Sequence, residues 1–387
     1  MRTVCSKNEE GEQHMISLFD KIYGCEAAGS IGNSMGEIME GWTIALRKER
    51  LGYVTELLPV EKPEMDGRLN RTNPADVNLG KPLIYHGHRR VAGTTEDGEE
   101  RHRLCATAII EKQGRIDVMD LARIWVRDLK PENFGYLLGP QDQIIFYALQ
   151  AGIPPQEVGR YASWPGFYGT SKMISPIGEV NACFPKMAAQ DAANVGRIKD
   201  VQGMSGNYAI EVCSAYAAAV AEALKPDATV SSVIDTALGC LSWSARSDCM
   251  EALKWADGCD DIEEYGLQFE KKYEGRPVSN AVEIFSAALG IFQMADGHPK
   301  DAIIYGVNSG RDTDCRAHTA GSLSGALRGV GEVPENWIRQ VDEAMKINEY
   351  TVSRRTIRES AEGLYQAALC NMEEMKQTVA WMEEQIH

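Results

Sequence analysis

Apolar residues along this chain recur mainly with a helical period. In EERHRLCATAIIEKQG (99–114) they fall at 104, 105, 108, 109 and 110, charges take the other face, and a glycine closes the run. The same spacing predicts helices at DVMDLARIWVRDL (117–129), QDQIIFYALQ (141–150), NYAIEVCSAYAAAVAEAL (207–224), SSVIDTALGCL (231–241), AVEIFSAALGIFQ (281–293) and through the last forty residues. Alternating strand patterns of useful length are nearly absent, and there is no solenoid repeat, heptad seam or low-complexity tract. The pattern predicts an all-α, many-helix chain, read as one domain over 1–387. Two long irregular stretches interrupt it: 58–98, rich in Pro, Gly, Asn and charge, and 160–185, which contains YASWPGFYGTSKMISPIG. Loops of that length inside a helical chain tend to carry function, and the second is too apolar to stand free, so it is expected to fold against a site.

Composition narrows the partners. With 387 residues and 44% hydrophobic content the chain can bury a large core. A formal net charge of −16 leaves it without the cations that phosphate neutralisation or a polybasic membrane anchor needs, so neither nucleic acid nor membrane is expected as a partner. No apolar run is long and charge-free enough to span a bilayer. Ten cysteines lie scattered without CxxC pairs, and MRTVCSKNEEGEQHM has no apolar leader core, so a reduced, cytoplasmic protein is expected.

Acids gather beside glycine and hydroxyl residues in three distant places. These are Glu37 and Glu40 in GNSMGEIMEG, Glu96 and Asp97 in GTTEDGEE, and Asp312 and Asp314 in NSGRDTDC. Each alone reads as a helix cap, since helix N-termini favour acids and hydroxyls. Together they offer the oxygen donors that Mg²⁺ or Mn²⁺ prefers at glycine-rich turns. If they converge, either a cation binds there or some of them are protonated.

The order GSIGNSMGEIMEG, then TEDG opening an amphipathic helix, then NSGRDTDCRAHTAGSLSGALRGVGEVPENW, resembles the ADP-ribosylglycohydrolase family over roughly residues 24–340. That resemblance implies an orthogonal bundle of helices with a binuclear Mg²⁺ or Mn²⁺ centre, and hydrolysis of a bond between ribose C1 and a nitrogen or oxygen. Carried over by position, the metal ligands would be Thr95, Glu96, Asp97, Asp312 and Asp314, with Cys315 standing where the family places a threonine ligand. Glu40 would approach the metals as a movable carboxylate, and Glu40 or Asp97 would take the proton from the attacking water. The substrate side would be formed by Asn33, by Trp164, Phe167 and Tyr168 as a stacking wall for a base, by Gly169, Thr170 and Ser171 of the loop GTSKMISPIG, and by Arg311 at a phosphate.

Several positions depart from the family pattern. Asn33 replaces an Asp, Glu96 an Asp, Gly98 a Thr, Arg311 a Gly and Cys315 a Thr, and Lys172–Met173 stand where Met and Arg are expected. A thiol suits softer ions than Mg²⁺. These changes leave three readings open: a glycohydrolase acting on an ADP-ribosyl group, an enzyme on the same scaffold acting on a free nucleoside, nucleotide or other small molecule, or a non-catalytic relative. His86 and His88 read as surface or loop-stabilising groups, and His298 and His318 as packing or capping groups. The glycines at 29, 32 and 36 read as points of close helix contact, because no strand or GK[ST] accompanies them.

Overall fold

Small residues decide which helices meet at the centre of the protein. A computed structural model describes residues 6–7, 13–14, 16–66, 84–161, 164–201 and 208–386, and among these are seventeen α-helices and only two- or three-residue strands. The helices that build the centre are α1 (Leu18–Gly36), α2 (Asp97–Lys112), α3 (Ala281–Met294), α4 (Pro299–Asn308), α5 (Thr313–Arg328) and α6 (Ile357–Glu384). Helices α1 and α5 run antiparallel with their backbones nearly touching. A Cβ placed on Gly24 would lie 2.4 Å from the Gly325 carbonyl oxygen, one on Gly32 2.4 Å from that of Ala317, and one on Gly36 2.4 Å from the Cα of Asp314. Close contact at the glycines of 24–36 is therefore what the structure shows, and it sets the end of the first acidic segment against the start of the third.

Around this pair lies an apolar shell that includes Leu104, Ile109, Trp125, Phe285 and Phe292, all fully buried. Helix α6 begins at a capping box between Thr356 and Glu359 and buries Ala361, Leu364 and Ala367 against the bundle. Helix α2 corrects the sequence reading: the charges of EERHR do not face water. Glu99, Glu100, Arg101, His102 and Arg103 are all buried. They are satisfied inside the molecule, Arg101 by Asp142 at 2.8 Å, His102 by Glu26 at 2.8 Å and Arg103 by Glu100. A buried charge persists only where partners replace the water it loses.

The stretch 58–98, expected to be irregular, holds two short ribbons. Strand β1 (Val60–Lys62) pairs antiparallel with β4 (His88–Arg90), placing Val60 opposite Arg90, and β2 (Met65–Asp66) pairs with β3 (Ile84–Tyr85). The middle of that stretch, 67–83, lies outside the described residues. The ribbon sets Arg90 and Lys62 on Glu37, whose buried carboxylate is taken up by them. The other irregular stretch folds onto the start of α3: Tyr168 N donates to Ser279 O at 2.8 Å and Ala281 N to Gly166 O at 2.9 Å. Among the described residues no cysteine is in a disulfide, and no helix is long and apolar enough to cross a membrane.

Candidate active site

Backbone stitches join the first acidic segment to the third. Thr313 Oγ1 donates to Gly36 O at 2.7 Å, Arg311 N to Trp42 O at 3.0 Å, and Gly41 N to Arg311 O at 2.7 Å. Glu40, at the end of the turn Glu37–Met39, is thereby held beside Asp312, the N-cap of α5. Asp312 is fully buried and accepts from Cys315 N at 3.3 Å and Ser279 Oγ at 2.7 Å. One oxygen of each carboxylate of Asp312 and Asp314 and the sulfur of Cys315 lie within 4.8 Å of one another, and all three residues are buried. Asp314 Oδ1 is buried without a protein partner.

The second segment enters through Glu96, the N-cap of α2. Its Oε1 accepts from Asn33 Nδ2 at 2.6 Å, Gly98 N at 2.9 Å and Lys172 Nζ at 2.6 Å, and its Oε2 accepts from Asp97 N at 2.6 Å. Each carboxylate oxygen has about two lone-pair sites, so three donors leave Oε1 with no capacity for a further ligand, while Oε2 takes one donor. Asn33 completes a reciprocal pair by accepting from Glu96 N at 2.9 Å. An aspartate at 33 would offer no donor and would face Glu96 with like charge.

Lys172 was not among the residues expected at the site, and it stands at the middle of it. Its side chain is 1% exposed, and its Nζ hydrogen-bonds both Glu96 Oε1 and Asp314 Oδ2, linking the second segment to the third. Gly98 lies under its path: a Cβ there would meet Lys172 Cδ at 2.2 Å, Cε at 2.5 Å and Nζ at 2.8 Å. The only advance signal was the paired departure of Gly98 and Lys172 from the family pattern.

The other expected residues divide into those near this centre and those committed elsewhere. Asp97, half-exposed at the start of α2, pairs with Arg101 at 2.5 Å, and Arg101 grips Asp142 with two bonds of 2.8 Å. Gly169 lies beside Arg101 Nη1, which a Cβ would approach to 3.2 Å. Trp164 and Phe167 are partly exposed and stack on each other with centroids 5.8 Å apart. Thr95 is not turned to the acids: its hydroxyl accepts from Arg103 at 3.1 Å. Tyr168 is no open stacking surface, being fully buried with its hydroxyl 2.6 Å from Thr319 Oγ1. Thr170 and Ser171 are buried, Ser171 against Cys213. Arg311 cannot serve as a free phosphate contact, because its guanidinium is spent on Glu283 and on the carbonyls of Arg276 and Pro277. Its φ of +61° puts a non-glycine residue in the left-handed region, at a cost of about 1 kcal/mol that this clamp offsets.

Electrostatics follows from the crowding. Glu40 has an open outer surface, yet protein packs densely around it. That partial desolvation, with Asp312 and Glu96 nearby, pushes its carboxyl up to about 7. Burial opposes the charge on Glu96, but Lys172 and the hydrogen bonds to its oxygens hold it well below the usual carboxylate range. Burial likewise opposes the charge on Lys172, and Asp314, Cys315 and Glu96 hold the ammonium above its ordinary value. Asp314 is pulled both ways, up by burial and by Asp312 and Glu40, down by Lys172; direct contact with the ammonium favours the ionised carboxylate. Burial and the two aspartates push the Cys315 thiol up, which opposes a reactive thiolate there.

The arrangement is that of an all-α protein with acids gathered at the meeting of three helix ends. The sequence profile of the family described as ADP-ribosylglycohydrolase matches residues 15–373, and the chain belongs to that family of hydrolases. A solved structure titled "ADP-ribosylglycohydrolase-related protein complex" shares the fold, with a TM-score of 0.58 and 16% identity over 91% of this chain and 99% of that one. Among curated proteins no sequence matches significantly.

Proposed function

We propose that this protein is a cytoplasmic glycohydrolase that cleaves the bond between ribose C1 and a nitrogen or oxygen of an ADP-ribosyl group or related riboside. The observation that carries the reading is the convergence of Glu96, Asp312 and Asp314 around one buried point, with Glu40 at its open edge, from three distant segments in a chain of this family. The donor set fits one divalent ion, held by Asp312, Asp314 and Cys315, since Asp314 Oδ1 is a buried acceptor with no other partner. Two carboxylates suit Mg²⁺ or Mn²⁺, and the thiol beside them shifts the preference away from Mg²⁺ towards softer ions. When bound, such an ion supplies Lewis acidity and a lowered pKa for water. Glu40, with its raised carboxyl at the open edge of the ring, is suited to exchange protons near neutrality. In the hydrolysis the water oxygen joins C1 and keeps one proton as the new C1 hydroxyl, the C1–N or C1–O bond breaks, and the other proton of water passes by way of a carboxylate to the leaving group. Trp164 and Phe167 provide a partly exposed aromatic face for a base.

One observation favours a free small riboside over a diphosphate-bearing substrate. Arg311, expected at a phosphate, and Lys172 of the loop GTSKMISPIG are both spent on the protein's own carboxylates. The test is product release from ADP-ribosylated protein, from ADP-ribosyl conjugates and from ordinary nucleosides, all with Mn²⁺ present. Release of a ribose-bearing product from any of them, lost at least 100-fold in Asp314→Asn, is the expected result. Release from none of them by the wild type would overturn the reading.

A further inference from the structure

The family resemblance implies two cations shared by the acids of the second and third motifs. In this chain the place between those motifs is filled from within. Lys172 Nζ lies within hydrogen-bonding distance of Glu96 Oε1 on one side and Asp314 Oδ2 on the other. Oε1 of Glu96, the oxygen on the lysine's side, already takes three donors, so it has no electron pair left for a metal between the two motifs. Thr95, the other expected ligand of that segment, has its hydroxyl turned to Arg103. Gly98 is the accommodating change, because any Cβ at 98 would strike the last three atoms of the lysine side chain. An arm that flexible could swing aside in water, but here it is buried and pinned at both oxygens, so a shift would break its ion pairs.

We infer that Lys172 is a resident cation of the centre, standing in place of one divalent ion, and that the protein takes no more than one such ion, at Asp312, Asp314 and Cys315. A fixed ammonium neutralises the acids without depending on the supply of metal, and it bridges two segments that would otherwise repel. The remaining position keeps the buried, unpartnered Asp314 Oδ1 as its open acceptor.

This inference rests on the reading of the ring as a cation-binding centre, and not on which riboside is cleaved. It is tested on the full chain with Mn²⁺ alone, counting bound ions by the loss of the free-ion EPR signal. The wild type is expected to bind one ion or none. Lys172→Met, alone and with Gly98→Thr, frees Glu96 and is expected to bind one ion more than the wild type. Each variant is also expected to gain about 3 °C more in Tm than the wild type at saturating Mn²⁺. Two ions on the wild type, or no additional ion on folded variants, would overturn the inference. The wild-type count stands even if neither variant folds. Because no substrate enters the experiment, inactivity toward ribosides would sink the proposed function and leave this result intact.

Discussion

Glu96 and Asp314 are both buried acids at helix starts, each bonded to the same lysine, yet they are differently placed to act. Glu96 caps α2 and crowds three donors, from Asn33, Gly98 and Lys172, onto Oε1, the oxygen that faces the lysine, with Asp97 N on Oε2. Asp314 lies in the first turn of α5 and keeps Oδ1 without a partner. The difference teaches that an acid in a motif is a ligand only if its lone pairs are left over after the fold has used what it needs. Counting donors separates the two where residue type does not.

The largest effect expected from disturbing this pair is that of Lys172→Met without metal. It leaves Glu96, Asp312 and Asp314 facing each other around an uncompensated site, and removing one member of a buried ion pair typically costs about 3–5 kcal/mol. Chemical denaturation should show that loss, and a variant as stable as the wild type would mean that the ammonium is not engaged. Next comes Gly36→Ala, whose new methyl would press on the backbone of Asp314 and Thr313 at 2.4–2.6 Å. Overpacking of this kind costs roughly 1–3 kcal/mol, and here it also pushes the third segment away from the first, so Mn²⁺ affinity should fall along with Tm. Glu96→Gln is milder. It keeps the shape of the cap, loses the charge on Lys172 and should cost about 1–2 kcal/mol while leaving Mn²⁺ binding in place. If instead it abolished Mn²⁺ binding as Asp314→Asn should, the contrast between the two acids would be wrong.

The smallest effect concerns pH. His318, one turn along α5 from Asp314, has its ring held down to about 3 from an ordinary 6.5, chiefly by burial. The folded chain then binds fewer protons than the unfolded chain below pH 6.5, so this group takes stability away as pH falls from 6.5 towards 3. His318→Gln removes that proton uptake, and its Tm should decline less steeply across that window. Equal slopes in the two proteins would show that the ring titrates normally.

Much of this was readable from the chain. Helical periodicity located the long elements, and Gly29, Gly32 and Gly36 were legible as points of close helix contact before any fold is known, whereas Gly24 was not singled out. The three acidic segments were legible because glycine, hydroxyl and acid cluster in each. Periodicity fails where polar residues are paired inside: the face of α2 with Arg101, His102 and Arg103 looks solvated in sequence because its partners, Asp142 and Glu26 among them, come from distant positions. Side-chain direction fails for the same reason. Thr95 could point to the acids or to Arg103, and Arg311 to a ligand or to Glu283, and only the packed chain decides. Lys172 was noticed as a departure, but the course of a flexible side chain over Gly98 is a tertiary fact.

The most direct measurement is an anomalous difference map from a crystal soaked in Mn²⁺. The account predicts no peak between Glu96 and Asp314, where the Lys172 ammonium should be seen, and no more than one peak, beside Asp312, Asp314 and Cys315. Two peaks, with Lys172 swung out of the ring and Glu96 on a metal, would contradict it.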